Sequence, residues 1–123
     1  MTPGASEPLD IEDRTYRFAL RVIRLCKHLC SKPGVDRVMS NQLLRSGTSV
    51  GANVEEARAA YSRAEFVSKM SIALKEAREA RYWIRLLIGA ELIDRSLLEP
   101  LLNEATEIMK ILGAITSKAR RTR

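Results

Sequence analysis

Arg45-Ser-Gly-Thr-Ser-Val-Gly-Ala-Asn-Val-Glu-Glu-Ala57 admits two readings with opposite consequences. As a loop it is small and polar, and Gly47, Ser49 and Gly51 spell the G-x-S-x-G of a hydrolase nucleophile elbow. As a helix it sets Gly47 and Gly51 four residues apart on one face, with Val50 and Val54 beside them. The hydrolase reading fails physically. An elbow needs a buried strand in front of the serine, yet Met39-Ser-Asn-Gln-Leu-Leu-Arg45 has neither a β-branched run nor an alternating pattern. Its base should follow the serine in the chain, and the one histidine, His28, precedes it. A length of 123 residues is also short for a doubly wound hydrolase.

The helical reading carries a cost that calls for a partner. Each glycine in a helix interior loses about 1 kcal/mol relative to alanine. A fold tolerates that loss where another backbone must come close. Ser46, Gly47, Val50, Val54 and Ala57 form a narrow stripe of small residues, so this helix is expected deep in the assembly against a neighbour.

Periodicity on either side extends the pattern to four helices. Asp10 caps a first helix whose apolar positions are Tyr16, Phe18, Ala19, Val22, Ile23, Cys26, Leu29 and Cys30, stopped at Lys32-Pro33-Gly34. The second runs from Val35 to about Tyr61. Ser62 and Glu65 have capping-box spacing for a third, with a core stripe of Phe66, Met70, Ala73, Ala77, Ala80, Ile84, Leu87 and Ile88. Gly89 and Ile93-Asp94 mark its exit. The fourth begins near Arg95 or Ser96, with Pro100 expected in its first turn and Leu98, Leu101, Leu102, Ala105, Ile108, Met109, Leu112 and Ile115 buried. Short turns between long helices imply an antiparallel, up-down-up-down four-helix bundle spanning residues 10–117. Residues 1–9 read as a disordered leader and 118–123 as a basic C-terminal tail.

Composition agrees with an all-α domain: 46% of residues are hydrophobic and only 5% aromatic. There is no run of apolar residues long enough for a membrane span and no signal-peptide pattern, so a cytoplasmic protein is expected. The formal net charge is +6, but Lys118, Arg120, Arg121 and Arg123 supply four of the positive charges. Without them 17 basic residues face 15 acidic ones. The tail is either a solvated end or an arm for nucleic-acid phosphates.

Three constellations remain. Cys26 and Cys30 share a helix face, but two thiols and a histidine on another face fall short of a four-ligand structural zinc site; two small core residues are expected, with no metal and no cofactor. Ile72, Glu76, Glu79, Trp83 and Leu86 make a second face on the third helix, offset from its core stripe. A tryptophan in line with two acids fits an oligomer contact first, plain packing within the chain second, and acid–base or metal chemistry last. Asn53 and Glu56 flank the glycine seam, where Glu56 could pair with Arg45 or Arg81.

Arg45–Ala57 together with Ala73-Leu-Lys-Glu-Ala-Arg-Glu-Ala-Arg-Tyr-Trp83 resembles the bacterial four-helix-bundle proteins encoded in intervening sequences of 23S ribosomal RNA genes, over about Asp10 to Ile115. The accessory variability determinant of diversity-generating retroelements is similar in fold. The resemblance implies a ring-like homopentamer and, for the retroelement relative, a basic surface that contacts nucleic acid and a reverse transcriptase. Positions similar to the family's shared ones are Asn53, Glu56, Glu76, Glu79 and Trp83. The expectation is a non-enzymatic oligomer associated with RNA or a ribonucleoprotein; the alternative is a scaffold that binds a protein partner through the bundle surface.

Overall fold

The computed structural model describes residues 10–31 and 33–122. They form four helices packed as a bundle: α1 (Ile11–Leu29), α2 (Val35–Arg58), α3 (Arg63–Gly89) and α4 (Arg95–Arg121). Each starts where something can occupy its first unpaired N–H groups or release the chain from a turn. Asp10 accepts from the Glu12 amide at 3.1 Å, Ser62 from Glu65 at 3.1 Å and Asp94 from Ser96 at 3.1 Å. At α2 no side chain caps; Gly34 turns the chain instead, at φ 83°. The Glu65 carboxylate completes a displaced capping box, reaching the Tyr61 amide at 3.2 Å rather than that of Ser62.

Residues 45–57 lie inside one unbroken helix, and that decides between the two readings. Ser49 donates its hydroxyl to the Arg45 carbonyl at 2.7 Å, and Thr48 donates to that of Leu44 at 2.7 Å. No strand-to-helix elbow exists here. The neighbour that the glycines admit is α1. A Cβ on Gly47 would stand 2.9 Å from both γ carbons of Val22, and one on Gly51 would stand 3.3 Å from the Thr15 carbonyl oxygen. Ser40 continues the seam, with its carbonyl accepting from the Cys26 thiol at 3.3 Å.

α2 packs on α3, α3 on α4, and α1 meets α4 to complete the bundle. Phe18, Leu29, Leu43, Met70, Ile84, Leu87, Ile108 and Leu112 fill the interior. Alanines 73, 77 and 80 give α3 a slim inner face, just as the glycines do for α2.

Several local expectations are corrected. Tyr16 and Ile23 are exposed, at 56% and 43%, while Ile11 and Thr15 take the buried positions on α1. Thr15 hides its polarity by donating to the Ile11 carbonyl at 2.9 Å, which leaves its methyl for the core. α2 ends at Arg58, short of Tyr61. Pro100 is the sixth residue of α4, beyond the first turn. Its missing N–H leaves the Ser96 carbonyl without a helical donor, and both residues are exposed, so water can serve that carbonyl. Residues 1–9 and Arg123 lie outside the described residues.

The exit of α3 turns on Glu91 rather than Gly89. Glu91 sits at φ 57°, its amide donates to the Ile88 carbonyl at 3.0 Å, and the Leu92 amide donates to Leu87 at 3.1 Å. This is a Schellman closure with a side chain where glycine is usual. A left-handed conformation costs an L-residue about 1–2 kcal/mol. Glu91→Gly is therefore expected to stabilise the protein by about 1 kcal/mol, read as a higher urea midpoint; a lower midpoint would contradict the strain.

Candidate functional site

Two surface regions bring together the polar residues that helical spacing alone could only place on faces. The first is the α2–α3 seam. Glu76 and Glu79 rise one turn apart from α3, and Arg45 crosses from α2 between them. Its Nη1 lies 3.3 Å from Glu76 Oε2, and its Nη2 pairs with Glu79 Oε2. The same Glu79 oxygen accepts from Trp83 Nε1 at 3.1 Å. Both acids are largely covered, with side chains 15% and 29% exposed.

A carboxylate in this setting is held as an acceptor by a guanidinium, and Glu79 is further held by an indole N–H. The arrangement fixes α2 against α3 in register and orients the half-buried Trp83 ring. Tyr82 meets that ring edge-on, with centroids 5.5 Å apart. Ile72 remains 39% exposed on the same face. Glu56 stands apart from the cluster: it is exposed, while Arg45 pairs with α3 and Arg81 Nε donates to Thr106 Oγ1 at 2.9 Å. Neither predicted partner reaches it, because Arg45 lies about 16 Å back along the same helix and Arg81 is turned to α4. Asn53 is half-buried and donates to the Ser49 carbonyl at 2.9 Å within its own helix.

The cysteines knit α1 to α2. Besides the Cys26 contact, Cys30 Sγ lies 3.2 Å from Ser40 Oγ. Burial pushes the Cys26 thiol up from its ordinary range, which keeps it protonated and unreactive. Among the described residues no cluster of three or more His, Cys, Asp or Glu could hold a metal ion, and no helix is long and apolar enough to cross a membrane.

The second region is a cleft between α3 and α4. Because α4 runs on through Arg121, Lys118, Arg120 and Arg121 stand on a helix rather than on a separate tail. The last turn divides them. Lys118 faces Arg63, Phe66 and Ile115 on one side. Arg120 and Arg121 turn to the other, where they line a cleft of about 340 Å³ with Arg78, Leu74, Gly113 and Ser117. Arg120 Nη2 donates to Ser71 Oγ at 3.0 Å, and Arg121 Nη1 donates to Ser117 Oγ at 3.3 Å. Up α3 from Ser71, Lys75, Arg78, Tyr82 and Arg85 recur at helical spacing, and Tyr82 is half exposed.

Two ion pairs tie α1 to its neighbours. Arg14 Nη2 meets Glu104 Oε1 at 2.6 Å between α1 and α4, and the Arg14 guanidinium is held above its ordinary range chiefly by that hydrogen bond. Arg58 Nη2 meets Asp10 Oδ1 at 2.5 Å at the start of α1. Asp10 is held below the usual carboxylate range, first by the Glu12 amide and then by Arg58.

Residues 7–114 match the sequence model of the 23S rRNA-intervening sequence protein family, most of the chain. The chain belongs to that family. Among solved structures it is similar to a Bacteroides thetaiotaomicron protein of unknown function from the S23 ribosomal protein family, with 47% identity over 87% of this chain and 98% of that one and a TM-score of 0.81. No curated protein matches it. Within this member of the 23S rRNA-intervening sequence proteins, sequence reasoning overlooked Arg78 and Ser117, which line the cleft with Arg120 and Arg121, and Ser71, which accepts from Arg120. The 71, 75, 78, 82, 85 spacing on α3 was the available signal.

Proposed function

We propose that the protein is a non-enzymatic, cytoplasmic homo-oligomer, with a ring of five subunits favoured, that associates with RNA or a ribonucleoprotein. The observation that carries this reading is the uncompensated basic face of α3 and α4. Among the described residues, Lys75, Arg78, Arg85, Arg120 and Arg121 have no carboxylate within 4.0 Å. These cations take no part in the ion pairs that hold the helices together and share one face, where they are open to phosphates in a complex. Tyr82 on the same face offers a ring for base stacking.

An up-down-up-down order of antiparallel helices underlies this face. Its support is the contact of Arg58, at the end of α2, with Asp10 at the start of α1, and of Cys26, near the end of α1, with Ser40 early in α2. Self-association draws support from the half-covered Trp83 and the exposed Ile72, since aromatic anchors next to charges are typical of interfaces. The non-enzymatic reading rests on Glu76 and Glu79 being engaged by Arg45. Exposed Tyr16 and Ile23 favour the second reading, a scaffold that docks a protein partner.

Light scattering at micromolar concentration is expected to report a homo-oligomer, and a gel shift against total RNA is expected to weaken steeply between two salt concentrations. A monomer would reject the assembly; absence of a salt-sensitive shift would reject the RNA association.

A further inference from the structure

Gly113 occupies a helix interior without the justification that Gly47 and Gly51 have. A Cβ built there meets nothing within 4 Å, so no neighbour demands its absence. Alanine is the better helix former at such a position. What the missing side chain does is leave the floor of the α3–α4 cleft open between Arg78, Arg120 and Arg121.

Three exposed arginines lining one cleft concentrate positive charge there, which an anion would offset. Arginines in a last helical turn can be explained by the helix dipole, but that explanation covers Arg120 and Arg121 and leaves Arg78, which comes from the middle of α3. No carboxylate is among the residues that line the cleft, and the hydroxyls of Ser71 and Ser117 hold Arg120 and Arg121 in place beside it. Guanidinium forks match phosphate oxygens in bidentate fashion. A backbone phosphodiester has a single negative charge, whereas a terminal phosphate monoester has about −1.5 to −2 near neutral pH.

We infer that this cleft binds a terminal phosphate monoester, at the end of an RNA chain or on a free nucleotide. Arg78, Arg120 and Arg121 supply the charge, and Gly113 supplies the room. Tyr82 stands one turn from Arg78 on α3, about 6 Å along the axis, so the nucleoside attached to the held phosphate lies beside its ring. The RNA-end form deepens the association proposed above and rests on it; the free-nucleotide form does not.

The test uses the full chain with three probes: a 5′-phosphorylated RNA decamer, the same decamer with a 5′-hydroxyl, and adenosine 5′-monophosphate. Titration calorimetry is expected to show the phosphorylated decamer binding at least tenfold more tightly than the hydroxyl form. Arg78→Gln and Gly113→Leu should each abolish that preference. Lys75→Gln, outside the cleft, should preserve it and weaken both decamers alike. A Cβ at Gly113 meets nothing within 4 Å and Arg78 is exposed, so thermal melting should show the variants folded. Equal affinity for the two decamers, with no binding of the mononucleotide, overturns the inference and leaves RNA association standing. Mononucleotide binding that Arg78→Gln removes, with neither decamer bound, upholds the site, assigns it to a free nucleotide and counts against RNA association. No binding of any probe overturns both.

Discussion

Gly47→Leu is expected to destabilise the bundle by about 3 kcal/mol or more, at the upper end of what overpacking a core usually costs. The first added carbon alone would lie 2.9 Å from both γ carbons of Val22. Val22 is completely buried, and a β-branched side chain in a helix has essentially one rotamer, so it has nowhere to turn. The remaining leucine atoms could be housed only by prising α1 from α2. Gly51→Leu should act in the same direction, because its Cβ would press on the Thr15 carbonyl oxygen at 3.3 Å, a backbone atom that cannot rotate away. Gly89→Ala is the control: nothing lies within 4 Å there, and the change should be neutral or stabilising by up to about 1 kcal/mol. Urea denaturation reads all three. A midpoint for Gly47→Leu equal to that of the parent would refute the close approach of the two helices.

Deleting residues 118–123 should have the largest effect on the proposed RNA association. The deletion removes four positive charges and leaves 17 basic against 15 acidic residues. It also removes two of the three guanidinium groups in the α3–α4 cleft, together with the Arg120–Ser71 hydrogen bond that steadies one of them. Each lost phosphate contact lowers the slope of log affinity against log salt by roughly 0.7 to 0.9. Losing three or four contacts should flatten that slope by about 2 to 4 and weaken binding at low salt by about tenfold or more. Assembly into an oligomer would multiply the loss through avidity. Folding should survive, since Lys118, Arg120 and Arg121 are exposed and the last buried residue of α4 is Thr116. A small drop in melting temperature is expected, because the final helical turn and its Thr122 cap go with the segment. Undiminished RNA affinity in a folded truncation would reduce these residues to a solvated helix end.

The candidate sites were legible in unequal measure. Glu76, Glu79 and Trp83 announced themselves through spacing along a single helix, because a repeat of three and four residues is a local property of the chain. Their partner did not. Arg45 lies 31 residues before Glu76, and nothing in either segment says that they meet. Charge alone offers Arg45 to Glu56 as a partner, but once α2 is one unbroken helix the two lie eleven residues, about 16 Å, apart along it, and Arg45 meets the acids of α3 instead. The four basic residues near the C-terminus were visible as a run of charge. The division of Lys118, Arg120 and Arg121 between two faces depends on α4 continuing as helix, since successive helical residues point about a quarter-turn apart.

Helix number, approximate helix ends and most of the buried stripe follow from the order of residues, because capping and amphipathic periodicity act over a few positions at a time. The meaning of Gly47 and Gly51 was half-readable: two glycines in a helix imply a close neighbour, but not which one. Tertiary packing named α1, and it also moved Tyr16 and Ile23 to the surface and Thr15 into the core. Polarity misleads at Thr15, whose hydroxyl bonds to its own helix and leaves an apolar methyl behind. The cleft of Arg78, Arg120 and Arg121 belongs wholly to tertiary structure. Arg78 lies more than forty positions from Arg120 and Arg121 and shares a site with them only because α3 and α4 pack together, a relation no local pattern of side chains encodes.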